Sequence, residues 1–286
     1  MVCSRDRAAF LREALIAVTA ALRAPDELIV VDSASRDAAV GQVATEAGAR
    51  VVRTDRPGLG HARNIGWQAA ERSVVAFTDD DCAPAADWTA RVEAAFADAT
   101  VGIAFGQVVG EGGGAALSTK VSELARRVEP GGSTDGLGHG ANLSVRRSAL
   151  TAVGGFDDQL GAGGRFPAAE DSDLAWRLVR AGWAAVFDPT SVVTHRKWRG
   201  RGPALRVMYR YGVGAGAAAA KARRLGDSSH RIRHEIWDEG LRMAGRHVRT
   251  GYEFGAVACV ARAAGAAIGA VRGRRLRVDD TGRYVE

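Results

Sequence analysis

Val74-Val75-Ala76-Phe77-Thr78-Asp79-Asp80-Asp81-Cys82 drives an apolar run straight into three consecutive carboxylates. Like charges in contact repel, and burial disfavours the ionised form, so a strand ending this way needs a positive partner. A hard divalent cation such as Mg2+ or Mn2+ supplies one through oxygen ligands. Taken alone, the triplet has a plainer alternative, an acidic loop at a strand end that caps the next helix.

The segments upstream decide between these. Glu27-Leu28-Ile29-Val30-Val31-Asp32 is a second continuous β-branched run ending in Asp, the pattern of a strand buried on both faces. Before it, Met1-Val2-Cys3 is a very short apolar start. Phe10, Leu11, Leu15, Ile16 and Val18 then recur at helical spacing, which predicts a helix to Leu22. After it, Ser33 to Asp37 form a polar loop, Ala38 to Ala47 a helix closed by Gly48, and Arg50 to Arg53 a strand. Pro57-Gly58-Leu59-Gly60 opens another helix running to about Arg72, and Ser73 to Phe77 is the strand that delivers the acidic triplet. The order β-α-β-α-β with short crossovers predicts an open, mostly parallel sheet flanked by helices. Ligands of such sheets sit at the carboxyl ends of the strands. Asp32 and Asp79 to Asp81 share that rim.

Downstream, Asp87 to Asp98 reads as a helix and Val101 to Val109 as a strand. Glu111 to Gly114 and Pro130 to Gly140 are Gly-rich and expected to be mobile, with a helix expected between them at Val121 to Arg127. Gly140 to Val145 is expected to be a strand and Arg147 to Val153 a short helix. Glu170-Asp171-Ser172-Asp173 opens a helix to Ala181, closed by Gly182. Carboxylates in a first turn also simply suit the positive helix end. Ala184 to Phe187 and Val192 to His195 read as two strands, the second ending in a His that is either structural or a ligand. Trp176 and Trp183 fit core packing better than acceptor contacts. Beyond Arg196 the chain turns Arg- and Ala-rich, with helices expected over Leu205 to Leu225 and His230 to Arg249.

The composition is ordinary for a globular chain: 286 residues, 47% hydrophobic and 25% charged. The formal charge of +6 suits an anionic substrate, nucleic acid or an acidic membrane surface, without choosing among them. Three widely spaced cysteines and no zinc spacing point to a reduced, cytoplasmic setting. Arg5, Asp6 and Arg7 stand where a signal peptide would be apolar, so none is expected. The most apolar stretch, Gly255 to Val271, is interrupted by Arg262, so no spanning helix is expected. It packs on the rest of the chain or lies on a membrane. Arg196, Lys197 and Arg199 read equally as phosphate-neutralising or solvated, and Arg272 to Arg277 is a basic cluster.

An ordered set of short motifs carries a resemblance. It comprises Cys3-Ser4-Arg5-Asp6-Arg7, Val30 to Asp37, Gly60-His61-Ala62-Arg63-Asn64-Ile65-Gly66 and Thr78-Asp79-Asp80-Asp81. It continues with Gly140-Ala141-Asn142, Gly154-Gly155-Phe156-Asp157, Glu170 to Leu178 and His195. Over residues 3 to 196 the chain resembles the inverting, nucleotide-sugar-dependent GT-A glycosyltransferases of family 2. Two features depart from the pattern: the first strand is short, and Asp6 stands where Asn is commoner.

The resemblance implies a GT-A catalytic domain over 1–200, with a nucleotide-sugar half (1–110) and an acceptor half (111–200), and a C-terminal helical extension over 201–286. It implies that Asp32 contacts the base and that the backbone of Cys3, Ser4 and Arg5 lines the same pocket. Arg63 and Asn64 lie against ribose or diphosphate, and Asp79 and Asp80 approach ribose and sugar. Asp81, with His195, binds Mg2+ or Mn2+. Asp171 is the catalytic base and Glu170 orients a substrate beside it. The expected donor is a UDP-hexose. The acceptor is a hydroxyl on a glycan, lipid-linked glycan or small natural product. No nucleic-acid partner is expected, and any membrane contact is peripheral, at the inner face. Two rivals stand beside this. A nucleotidyltransferase would want an early Gly-rich basic signature, which residues 1 to 20 lack. A non-catalytic nucleotide-sugar or polyanion-binding protein would have no use for Glu170-Asp171.

Overall fold

In the computed structural model, residues 1–111, 119–196, 200–227 and 231–285 are described. The first half alternates as its apolar runs dictate. β1 (Val2–Ser4), α1 (Ala8–Ala21), β2 (Ile29–Ser33), α2 (Ala39–Glu46), β3 (Arg50–Thr54), α3 (Leu59–Ala69) and β4 (Val74–Asp79) follow in order. Every residue of β2 is buried. Its alternate side chains serve opposite faces of the sheet. Val30 joins Leu11, Leu15, Val18 and Val40 under α1 and α2, whereas Ile29 and Val31 join Phe77, Leu143 and Phe156 on the other side. This is the three-layer solution to a sheet apolar on both faces.

The second half is β5 (Cys82–Pro84), α4 (Trp88–Ala95), β6 (Val101–Glu111), β7 (Arg126–Val128), β8 (Leu143–Arg146), α5 (Arg147–Ala152), α6 (Glu170–Arg180) and β9 (Ala184–Arg196). The sheet runs β3-β2-β1-β4-β8-β6-β9-β5, with β7 also on β9. β1 to β4 are mutually parallel; β8 is antiparallel to both β4 and β6, so the sheet is mixed.

Several expectations are corrected. No helix forms over 121–127; Arg126–Val128 pairs with β9, because the ladder offers the backbone partners that a short Gly-flanked helix lacks. Gly140–Asn142 is a 3-10 turn and the strand begins at Leu143. The two short final strands are one, β9, whose register against β6 shifts across Pro189. Between 130 and 140, Leu137 is buried and Gly138 lies against Phe105. Of the Gly-rich stretch at 111–114, only Glu111 lies within the described residues; Lys197 and Arg199 lie outside them.

α7 (Arg201–Arg224) is followed by α8 (Arg231–Arg233), a π-helical stretch (His234–Arg242), α9 (Met243–Arg249) and α10 (Glu253–Gly273). α10 runs unbroken through Arg262, because that guanidinium turns to Glu235 at 2.7 Å. By length and composition alone α10 is long and apolar enough to cross a membrane, but half of its most apolar window is buried against the rest of the chain. α7 and α10 touch backbone to backbone. A Cβ on Gly212 or Gly216 would stand 2.0 Å from a carbonyl oxygen of α10, and one on Gly269 2.0 Å from Val213 O.

A fully buried charge cluster ties α7 to α6 and to the 153–157 turn. Lys221 of α7 pairs with Asp157 and, at 2.7 Å, with Asp173. Arg177 donates to Asp173 at 2.9 Å and to the carbonyls of Val153 and Gly155 at 2.8 Å. Asp157 also accepts the backbone N–H of Tyr284 at 2.8 Å, in β11 (Tyr284–Val285), which pairs with β10 (Arg277–Val278). Two cations face two carboxylates, so the cluster is balanced only while intact. Lys221→Met is expected to cost about 3–5 kcal/mol by stranding buried carboxylates. Chemical denaturation checks this; a loss below about 1 kcal/mol would mean the cluster does not bind the two parts together.

Candidate active site

The site is assembled at the carboxyl ends of β1 and β4. Their register sets Cys3 beside Asp79, and β1 sets Ser4 beside Asp32. The chain then turns at Asp80 and Asp81 into β5, which pairs Cys82 with His195 of β9. Two motifs more than a hundred residues apart thus meet because one short strand lies on another.

Asp80 and Asp81 are buried, at 4% and 5% exposure. Ser4 Oγ donates to Asp80 at 2.7 Å, and Arg7 bridges the pair, 2.6 Å from Asp80 and 2.8 Å from Asp81. Burial pushes the Asp80 carboxyl up to about 7 against the pull of Arg7 and Ser4. Burial also acts on Asp81, but the hydrogen bond from His195 and the Arg7 charge overcome it and hold its carboxyl well below the usual range. His195 Nε2 is 3.4 Å from Asp81 Oδ1, while its buried Nδ1 has no partner.

Across the cleft, α6 begins at Glu170 immediately after Ala169, which holds a left-handed φ of 70°. A non-glycine residue there is strained by roughly 1–2 kcal/mol, and it aims the first turn of α6 at the cleft. Asp171 accepts the backbone N–H of Gly140 at 2.6 Å and that of Ser172 at 2.7 Å. Burial, with Asp171 adjacent, pushes Glu170 up to about 7 although Arg63 opposes it. Arg63, 2% exposed, is the strut between the two sides: 2.9 Å to Glu170, 3.3 Å to Asp79 and 3.1 Å to Gly140 O. Five carboxylates (Asp79, Asp80, Asp81, Glu170, Asp171) therefore face two guanidiniums, Arg7 and Arg63, around one cleft of about 1070 Å³.

The other expected residues divide. Cys3, Ser4 and Arg5 line the cleft. Asp32 is buried beside it, accepting Ser35 N–H at 3.0 Å and paired with Arg53; its neighbour Ser33 reaches the lining. Asn64 does not line it. Its amide donates to Phe156 O and Asp158, and its oxygen accepts from Phe156 N and Trp67. It braces the Gly-Gly-Phe-Asp turn, where Gly155 has φ +77° and a Cβ would lie 2.4 Å from the Asn64 oxygen. Asp6 has φ +55°, a conformation that Asp and Asn tolerate better than other side-chain-bearing residues. Its carboxylate accepts Arg36 N–H at 2.8 Å.

Arg7, Cys82 and the Gly140 N–H were not singled out from the sequence. All three lie in marked stretches, Arg7 and Gly140 in the ordered motifs and Cys82 after the triplet, but none was given a role. Oxygen, nitrogen and sulfur donors of Asp81, His195 and Cys82 lie within 4.8 Å of one another. The surplus of carboxylates fits a divalent ion there, with Asp81 as the oxygen donor suited to Mg2+ or Mn2+ and His195, through the Nε2 that faces it, as a nitrogen donor. Burial drives the Cys82 thiol well above its ordinary range, which makes it the weaker candidate.

The model of the family described as "Glycosyl transferase family 2" matches residues 1–152, more than half of the chain. The chain belongs to glycosyl transferase family 2. Among curated relatives, the pre-mycofactocin glycosyltransferase of Mycobacterium tuberculosis is 34% identical over 142 residues, 47% of this chain and 29% of that protein. The N-acetylglucosaminyl-diphospho-decaprenol L-rhamnosyltransferase of the same organism is 44% identical over 80 residues, 27% of this chain and 24% of the relative. The chain thus spans less than a third of the length of these relatives. Among solved structures, Staphylococcus aureus TarS 1-349 in complex with UDP superposes with TM-score 0.57 at 14% identity, covering 98% of this chain and 94% of that one. GalNAc-T7 with UDP, GalNAc and Mn2+ gives TM-score 0.58 at 16% identity, covering 83% and 49%. The family 2 fold is GT-A, a mostly parallel mixed sheet flanked by helices with a helical C-terminal portion.

Proposed function

We propose that this family 2 chain is a glycosyltransferase that moves a hexose from UDP to an acceptor hydroxyl with inversion, using Mg2+ or Mn2+. One observation carries the proposal: the two carboxylate sets, Asp79–Asp81 and Glu170–Asp171, face each other across a single cleft and are joined by Arg63. Two distinct jobs need two such sets. The diphosphate end requires carboxylates for a cation, and Asp81 and His195 would hold it. When bound, the ion offsets the charge that develops on the departing diphosphate. The acceptor end requires one carboxylate to take the proton of a hydroxyl of high pKa as it attacks.

Asp171 is proposed as that base. The Gly140 N–H holds one of its oxygens, and Ser172 the other, so the carboxylate is oriented before the acceptor arrives. Glu170, held by Arg63, would position the substrate beside it. A single base and a single displacement give inversion at the anomeric carbon. The base and ribose would lie over Cys3, Ser4 and Arg5 at the end of β1, with Asp32 bracing that pocket through Ser35 and Arg53. Asn64 would act on the donor only through the 156–158 turn. A catalytic portion over 1–200, with 201–286 closing the acceptor side, follows the same scheme. Family membership favours glycosyl over nucleotidyl transfer, and the TarS and GalNAc-T7 structures that hold UDP support the choice of nucleotide.

A thermal-shift panel of UDP-, GDP- and TDP-sugars with and without Mn2+ tests the donor. The largest rise in Tm is expected with a UDP-sugar and Mn2+ together. A larger rise with a GDP- or TDP-sugar, or a UDP-sugar response indifferent to Mn2+, would overturn the assignment.

A further inference from the structure

α10 has two unlike faces. The inner one is built of small residues, among them Gly265, Ala266, Gly269 and Ala270, pressed on α7. The outer one is apolar and open to solvent. Val257 is 54% exposed, Val260 48%, Ile268 38% and Val271 53%, and the intervening Ala264 and Ala267 are exposed too. At steps of three and four these form one stripe along nearly the whole helix. Between Glu253 and Arg272 its only charged side chain is Arg262, which turns away to Glu235. Gly240 abuts Ala263, which sets the Trp237–Leu241 turn alongside the middle of α10; Trp237 and Leu241 are 56% and 43% exposed, but Asp238 and Glu239 between them make that turn polar, so the apolar surface is that of α10. A contiguous exposed apolar patch of this kind marks a contact surface.

The charge at its two ends says what it contacts. Arg246 and Arg249 are exposed at one end, against a single acidic residue there, Glu253. At the other end residues 272–277 hold four arginines and no acidic side chain. A second copy of the chain laid on this stripe in either direction would set cationic ends against each other. A bilayer with anionic headgroups satisfies both parts, taking the apolar stripe roughly 5–10 Å into the headgroup boundary and the guanidiniums onto phosphates. A spanning orientation is disfavoured, since half of the most apolar window of α10 is already buried and α7, seated on it, carries exposed Arg206 and Arg210.

We propose that the outer face of α10 docks in the plane of a membrane rich in anionic phospholipid. The opposite side of the same helix lines the cleft through Cys259 and Arg262. Docking would therefore hold the far wall of the cleft about one helix diameter, ~10 Å, from the headgroups.

The test is flotation of the full chain with vesicles of phosphatidylcholine alone or of an equimolar mixture with phosphatidylglycerol. It needs no turnover, so it stands apart from the donor assignment. Binding is expected to the anionic vesicles, to weaken with salt, and to be absent from phosphatidylcholine. The triple change Val257→Asp, Val260→Asp and Ile268→Asp should lower vesicle partition at least about tenfold, with circular dichroism and Tm reporting that the variant is folded. Should that variant fail to fold, Arg272→Gln with Arg275→Gln should lower anionic binding by about tenfold without touching the apolar stripe. Failure of the full chain to float with anionic vesicles overturns the proposal, as does undiminished binding by the folded variants. A concentration-dependent dimer abolished by the triple change, in a chain that ignores vesicles, would assign the face to a second copy and equally overturn it.

Discussion

Asp171→Asn is expected to lower kcat for sugar transfer by roughly 10³-fold while leaving UDP affinity within about twofold. The side chain is near-isosteric, so the cleft keeps its shape; what is lost is a site for the acceptor proton. The amide also cannot reproduce both hydrogen bonds of the carboxylate. Gly140 N–H and Ser172 N–H each donate to a different Asp171 oxygen, and the amide NH2 must face one of those donors. Glu170 is a poor substitute, since Arg63 holds one of its oxygens at 2.9 Å. Single-turnover kinetics with calorimetric UDP binding would separate the effects. Transfer within about tenfold of the unaltered chain would end the assignment of Asp171 as base. Loss of nucleotide affinity in step with transfer would instead make it a binding residue.

Asp81→Ala acts on the other side of the cleft. It removes a carboxylate that meets Arg7 at 2.8 Å and His195 at 3.4 Å. Without it, His195 loses its charged partner, while Arg7 keeps Asp80 and the Phe10 ring it lies over. The expected result is loss of the Mn2+-dependent part of UDP affinity, at least about a hundredfold, because a direct ligand matters no less than the outer-shell groups whose loss costs ~10–100-fold. UDP binding without metal should change little, since the base pocket at Cys3 to Arg5 is untouched. Calorimetry with and without Mn2+ checks this. Equal Mn2+-dependent affinities in the two proteins would exclude Asp81 as a ligand.

The two halves of the site were not equally legible. Asp79 to Asp81 announced themselves because they are contiguous and follow an apolar strand: the signal is local, and a parallel sheet places strand ends on one rim by topology alone. Glu170 and Asp171 were visible as a helix start, but their partners were not. The N–H that orients Asp171 belongs to Gly140, thirty-one residues earlier, and backbone donors leave no mark in a sequence. Arg7 was passed over for a similar reason, since an arginine in a polar loop looks solvated until the loop folds over Asp80 and Asp81. Asn64 failed in the opposite direction. Its motif is written plainly, yet its amide is used up on Phe156, Asp158 and Trp67.

What the amino-acid order determined by itself was the α/β layering, the sheet rim where acid collects and the family to which the pattern belongs. These follow from apolar periodicity and from residues adjacent in the chain, and such local rules survive without coordinates. The family resemblance already implied His195 beside Asp81; the tertiary structure supplied the means and alone decided the other pairings. It set His195 against Asp81 through the short β5–β9 ladder and made Arg63 the strut between the acidic triplet and α6. It also buried Lys221 among Asp157 and Asp173 and turned Arg262 inward, leaving α10 an unbroken apolar stripe. Each is a contact between residues tens to more than a hundred positions apart. The acidic knot after Phe77 was legible as charge in need of a partner, and only the fold supplied Arg7 and Arg63 to meet it.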